Sequence, residues 1–214
     1  MPLAFAEIAF TPSVQAEQTK FDSSKVYDKF LSESRSGGGE LGPDEAKFLG
    51  ERDGFFQASV SETGWPYVQF RGGTPGFLNT LDANTIAYAD LRGNRQYISA
   101  GNLNHSNRIS LIAVDYPNQR RLKLWGEVHF INPQSEPELV AALYAGNEVV
   151  DRIVKIKVSA IDWNCPRHIP RRYTLKELEP EINALRDQIT TLEVENAALK
   201  AGVSPLIHST EPKN

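Results

Sequence analysis

The chain has 214 residues, a formal net charge of -4 and 40% hydrophobic residues, enough for one sizeable domain with an appendage. Its acidic balance argues against a general nucleic-acid binder, though a local basic cluster can still serve a small anionic ligand. A single cysteine, Cys165, excludes an intrachain disulfide and a cysteine-rich zinc site.

The apolar start from Met1 to Phe10 is short, broken by Glu7 and without a basic lead, so it makes a poor signal peptide. No stretch reaches the ~20 apolar residues of a membrane span. The expectation is a soluble, cytoplasmic protein with no membrane or nucleic-acid partner. Thr11-Pro12 reads as an N-cap with proline at the first helical position. A second short helix is expected over Ser24 to Leu31, then a flexible break at Ser36-Gly37-Gly38-Gly39. Pro43-Asp44-Glu45 opens another helix, its acids placed where the helix dipole favours them.

From Gly54 to Ile131 the pattern turns to β-structure. Phe55 to Ser61 and Trp65 to Arg71 flank the turn Glu62-Thr63-Gly64. Phe77 to Leu81 and Thr85 to Asp90 flank Asp82-Ala83-Asn84. Arg108 to Asp115 and Arg120 to Ile131 flank Tyr116-Pro117-Asn118-Gln119. Repeated hairpins of this kind predict an antiparallel barrel, interrupted by a short helix at Gln96 to Leu103. A helix at Glu136 to Ala145, a strand at Arg152 to Ile161 and an irregular basic segment from Cys165 to Tyr173 follow. The fold class is mainly β (α+β). It divides into a helical arm (1–50), a barrel (51–174), a coiled-coil helix (175–202) and a disordered tail (203–214).

The heptad near the C-terminus places Ile182, Ile189 and Asn196 at a, and Leu178, Leu185, Leu192 and Leu199 at d. Isoleucine at a with leucine at d favours a parallel two-stranded coil, and a buried asparagine pair fixes register. Glu181 would face Arg186 of a second copy, and Glu195 would face Lys200 of it. The alternative is an amphipathic helix packed on its own domain. With only about three heptads, the coil would need the globular dimer to bring its strands together. Pro180 argues against a fully helical run from Leu175.

The densest chemical constellation is Arg71-Gly72-Gly73-Thr74-Pro75-Gly76 with Arg92-Gly93-Asn94-Arg95-Gln96. Glycine exposes backbone amides and lets a ligand approach, and the arginine fork matches phosphate oxygens. A helix starting just after Arg95 would add a positive dipole end. The same residues also suit solvated turns, so the pattern alone leaves both readings open.

The segments GWPYVQFRGGTPGFL (Gly64 to Leu78), DLRGNRQYISAGNL (Asp90 to Leu103) and DYPNQRRLKLWGEV (Asp115 to Val128) resemble the FMN-binding split barrels of the pyridoxamine-5′-phosphate-oxidase-like family. FTPSVQAEQ (Phe10 to Gln18) and DWNCPRHIPRRYT (Asp162 to Thr174) are similar to one uncharacterised branch of it, so the resemblance spans Phe10 to Tyr173 and leaves out the heptad. It implies an antiparallel split β-barrel, FMN as cofactor and a homodimer with the flavin at the subunit interface. The strand Val68-Gln69-Phe70-Arg71 and Gly72 would run beside the isoalloxazine ring, with Arg71 reaching the phosphate or ribityl chain. The family's Ser-Arg-Lys phosphate clamp falls on Asn94-Arg95-Gln96; Gln96 replaces the lysine, and Arg92 or Arg71 would supply the missing charge. The family's Tyr-Thr pair is Ala89-Asp90 here. Asn102 stands in the helix after the clamp. Lys123 and Trp125 would come from the partner subunit, and Trp163 and Arg172 match the C-terminal contact positions. The resemblance implies an FMN-dependent oxidoreductase with a small-molecule substrate. The alternative is a non-catalytic dimeric sensory or interaction module holding FMN or heme.

His105, His129, His168 and His208 lack metal-ligand spacing. His168, among Arg167, Arg171 and Arg172, reads first as a backbone-bonded loop residue and second as a substrate contact. Cys165 reads as a partly buried structural cysteine, although basic neighbours would lower a thiol pKa. Trp65 and Trp125 suit core or interface positions. Ser-His-Asp, P-loop and dinucleotide motifs are not found, and no residue is assigned as a catalytic acid or base.

Overall fold

The structure, a computed structural model, describes residues 3–32 and 37–202. Ser36 of the expected glycine break and the tail 203–214 lie outside the described residues. The chain forms two compact units, Met1–Pro170 and Arg171–Asn214.

In the first unit, α1 (Ala4–Ala9), α2 (Pro12–Lys20), α3 (Ser24–Tyr27) with a following 3-10 turn (Asp28–Phe30), and α4 (Pro43–Gly50) precede the sheet. Helix α1 was not foreseen, because six residues are too few to show a helical period. Proline opens both α2 and α4, and Glu45 accepts the Gly42 N–H at 2.9 Å to close the α4 cap. Gly37–Gly39 do not form a break: Gly37 bridges Leu3, and Gly38 accepts the Ile161 N–H at 2.7 Å. Glycine serves there by letting backbone meet backbone, since a Cβ on Gly38 would sit 3.3 Å from the Ile161 carbonyl oxygen.

Seven strands follow: β1 (Gly54–Val60), β2 (Pro66–Gly72), β3 (Asn79–Asp82), β4 (Thr85–Leu91), β5 (Arg108–Asp115), β6 (Arg120–Ile131) and β7 (Val150–Trp163). They form one antiparallel sheet in the order β2-β1-β5-β6-β7-β4-β3. The three expected hairpins are its β1–β2, β3–β4 and β5–β6 pairs. Period-two alternation sends Phe55, Leu111, Leu122, Leu124, Ile86, Tyr88 and Ile156 into one core. Helix α5 (Ile98–His105) follows β4, and α6 (Pro137–Leu143) packs on Ala87 and Ile153 from the other face of the sheet. Helix α5 begins two residues later than expected because Tyr97, at φ 52, is left-handed.

A register shift at Trp125/Gly126 bends β6 against β7. A Cβ on Gly126 would lie 2.5 Å from the Lys157 carbonyl oxygen and 2.8 Å from Ile156 Cγ2. Gly126→Ala should therefore cost about 1–3 kcal/mol, the usual range for overpacking, read as a lowered urea midpoint with unchanged slope.

The second unit contains α7 (Leu175–Lys200). It runs unbroken through Pro180, contrary to expectation. Thr174 and Glu177 form a reciprocal capping box that fixes the start, and the proline removes only one internal hydrogen bond near that end. No side chain of α7 is buried; Leu185, Ile189, Leu192 and Leu199 are each more than half exposed.

Candidate functional site

Strand β2 is an edge of the sheet, and its alternation puts two different surfaces on one strand. Tyr67, Gln69 and Arg71 point to the core side, opposite Ser59, Gln57 and Phe55 of β1. Val68 and Phe70 point outward and are 61% and 53% exposed. The core side near β2 is polar. The Tyr88 hydroxyl donates to Gln57 Oε1 at 2.7 Å, and Asn102 Nδ2 donates to Ser59 Oγ at 3.1 Å. Burial pushes the Tyr88 hydroxyl well above its ordinary range, so it stays protonated and a donor. Gln57 Nε2 is buried without a hydrogen-bond partner among the described residues.

Between β2, the end of β4 and the start of α5 lies a polar slot of ≈ 270 Å³. Gln69, Arg71, Asn94, Arg95, Gln96 and Ser99 are among its lining. The Gln69 amide accepts the Tyr67 hydroxyl at 2.6 Å and donates to the Phe70 carbonyl at 3.1 Å. Arg71 Nη1 lies 2.9 Å from Asp90 Oδ1, while its Nε is buried without a hydrogen-bond partner. Asp90 also meets Arg152 Nε at 3.3 Å, an ion pair without directed hydrogen-bond geometry. Burial holds the Asp90 carboxyl above the usual carboxylate range, against the pull of Arg71 and Arg152.

The two arginines expected to replace the missing lysine are therefore already tied to carboxylates. Arg92 lies 2.9 Å from Asp151, whose second oxygen accepts the Tyr97 hydroxyl at 2.9 Å. These bonds, the tyrosine's first, hold the Asp151 carboxyl below its usual range. Arg95 is exposed, has φ 62 and makes no ion pair among the described residues. It stands three positions before α5, so the expected helix end just after it is displaced. The carboxylates Asp90 and Asp151 lie far along the chain from the cations they neutralise or on another strand, and sequence spacing gave no sign of either pair.

The remaining predicted residues are dispersed. Gly72 closes β2 opposite Gly54. Phe70 packs on Phe56 at 5.2 Å between ring centroids, on the outer face. Lys123 and Trp125 lie on that same face of β6, in rows that run through Ile112 to Phe56 and Phe70, and through Ser110 to Ala58 and Val68. Lys123 is paired with Asp162 at 3.1 Å and sits 5.7 Å from the Trp125 ring. Within one chain they face away from Gln69 and Arg71. Trp163 is anchored at α4: its indole N–H donates to Glu45 at 2.7 Å, and Phe48 and Arg120 pack on its ring. Arg172 belongs to the second unit and is exposed. Cys165 is exposed rather than partly buried, because the segment after β7 leaves the sheet. Trp65 is 76% exposed beside the β1–β2 turn, outside the core.

The family model described as pyridoxamine 5′-phosphate oxidase matches residues 42–161, and the chain belongs to this family. Among solved structures, an FMN-binding protein from Syntrophomonas wolfei is 12% identical, covering 71% of this chain and 97% of its own, with a TM-score of 0.46. HupZ of Group A Streptococcus is 14% identical over 62% of this chain and 100% of its own, with a TM-score of 0.46. General Stress Protein 26 of Bacillus anthracis is 10% identical over 54% and 87%, with a TM-score of 0.42. No curated protein matches the chain. No described helix is long and apolar enough to cross a membrane.

Proposed function

We propose that the protein binds FMN between two copies of its barrel and acts as an oxidoreductase on a small-molecule substrate. The observation that carries this reading is the polar slot beside the edge strand. Among the described residues it holds one unpaired cation, Arg95, and a buried, unpartnered donor, Arg71 Nε. Those groups fit a phosphate monoester, with Asn94 and Gln96 as neutral donors in place of a second cation. Flavin, when bound, supplies hydride or electron transfer. The chain places it, with Gln69 and the β2 backbone toward the ring and Arg95 toward the phosphate.

Four features support a second copy. The slot, at ≈ 270 Å³, falls below the ~300–1,000 Å³ usual for small-molecule sites, as expected of half a site. Lys123 and Trp125 lie on the opposite sheet face, so they reach a flavin only from a partner. That face also exposes Phe56, Val60, Val68 and Phe70 as one apolar patch, the kind that marks an interface. The α7 heptad adds a parallel zipper, with Asn196 paired across the seam.

The absorbance of the purified protein, followed by FMN titration, tests the reading. Flavin bands bleached by a nicotinamide donor, with turnover in air, are expected. A protein that takes up no FMN rejects it. Stoichiometric flavin without turnover on donors or amines rejects the oxidoreductase step and leaves a binding module. A chain ended after Tyr173 should remain a flavin-bound dimer by sedimentation, because the barrel face outweighs about three heptads of coil.

A further inference from the structure

A second cavity, of ≈ 590 Å³, adjoins the polar slot and shares Arg71, Asp90 and Leu91 with it. Its other walls are Phe70, the loop from Gly72 to Phe77, the strand segment Tyr88–Ala89, and the end of α6 with the residues just after it, Ala141 to Gly146. The loop is built by a turn in which Phe77 N–H donates to the Thr74 carbonyl at 3.0 Å, with Pro75 and Gly76 at the corner. Gly76 has φ 95, the conformation a type II turn demands at that corner, and Phe77 then stacks on Phe55 at 5.7 Å.

We propose that this cavity takes an uncharged organic molecule and excludes phosphorylated ones. Its size lies within the ~300–1,000 Å³ range of small-molecule pockets. Its lining combines small and apolar residues such as Phe77, Ala89, Ala142 and Leu143 with polar ones, and among the described residues its only charged lining residues are Arg71 and Asp90. Those two pair at 2.9 Å, and Asp90 is shared with Arg152 at 3.3 Å, outside the lining. A phosphate dianion would find one cation already held by a carboxylate, and that carboxylate would repel it. In the loop, Gly73 N–H donates to the Asp53 carbonyl and Phe77 N–H to the Thr74 carbonyl, so neither amide is free to cradle a phosphate. Two wall hydroxyls are engaged as well, Tyr88 with Gln57 and Tyr144 with Glu148. Assigning that molecule as the substrate rests on the flavin reading above, whereas its chemical class rests on the cavity alone.

Calorimetry on the full chain saturated with FMN, so that the phosphate-fitting slot is filled, tests this with naphthol and naphthyl phosphate, which share a ring system and differ by the phosphate. Naphthol should bind, and its phosphate ester at least about tenfold more weakly, since apposed like charges cost several kcal/mol. Ala142→Trp, at an exposed position of α6, should abolish naphthol binding and leave FMN affinity unchanged; Ala145→Trp, also exposed, gives the same reading should the first variant fail to fold. Equal or tighter binding of the phosphate ester overturns the proposal, as does naphthol affinity that survives both substitutions. No naphthol binding beside intact FMN binding overturns the cavity assignment alone. Intact naphthol binding without FMN uptake overturns the flavin reading alone.

Discussion

Val68→Glu, in a chain ended after Tyr173, should turn a dimer into a monomer in sedimentation at micromolar protein. Val68 is 61% exposed and sits between Tyr67 and Gln69 on the outward side of the edge strand. Its cross-strand row continues through Ala58 and Ser110 to Trp125. A two-fold interface on this face would bury the new carboxylate twice, once from each copy. An unpaired buried charge costs several kcal/mol, which is much of what a standard interface supplies. The monomer itself should unfold at nearly the parent temperature, because the substituted side chain is solvated there. FMN uptake should fall with dimerisation, since Lys123 and Trp125 of a second copy would no longer close the slot. A variant that stays dimeric removes the patch from the interface.

Arg95→Ala should weaken FMN by about 1.5–3 kcal/mol, roughly ten- to 150-fold, the loss expected when a charge-assisted phosphate bond disappears. The structure sharpens this expectation. Arg71 and Arg92 are paired with Asp90 and Asp151, so Arg95 is the cation of this cluster that has no carboxylate of its own among the described residues. Arg92→Ala should therefore have the smaller effect, acting through the release of Asp151 and Tyr97. Fluorescence quenching during flavin titration measures both variants. Unchanged affinity in Arg95→Ala would take Arg95 out of the site.

Much of the barrel could be read from the residues because its signals are local. The β5–β6 hairpin is bounded by Arg108 and Ile131, with period-two alternation and a Pro-Asn turn, and both strands lie where that pattern puts them. Short elements were harder. Helix α1 has too few residues to show periodicity, and the start of α5 depends on the left-handed Tyr97, which no neighbouring residue demands. Pro180 misled because it falls early in a helix whose start is fixed by the Thr174–Glu177 capping box, where the proline removes one backbone bond without ending the helix.

For the site, the sequence alone names the residue types that can meet a phosphate: arginine and glycine at the ends of β2 and β4. It also determined the heptad, whose spacing needs no tertiary information. The folded structure alone shows which arginines lack a carboxylate among the described residues, because Arg92–Asp151 and Arg71–Asp90 join segments distant in the chain. It alone showed that Lys123 and Trp125 share a face with Val68 and Phe70 and not with Gln69 and Arg71. Alternation along a strand fixes which residues lie together, but the sheet's strand order fixes what each face meets.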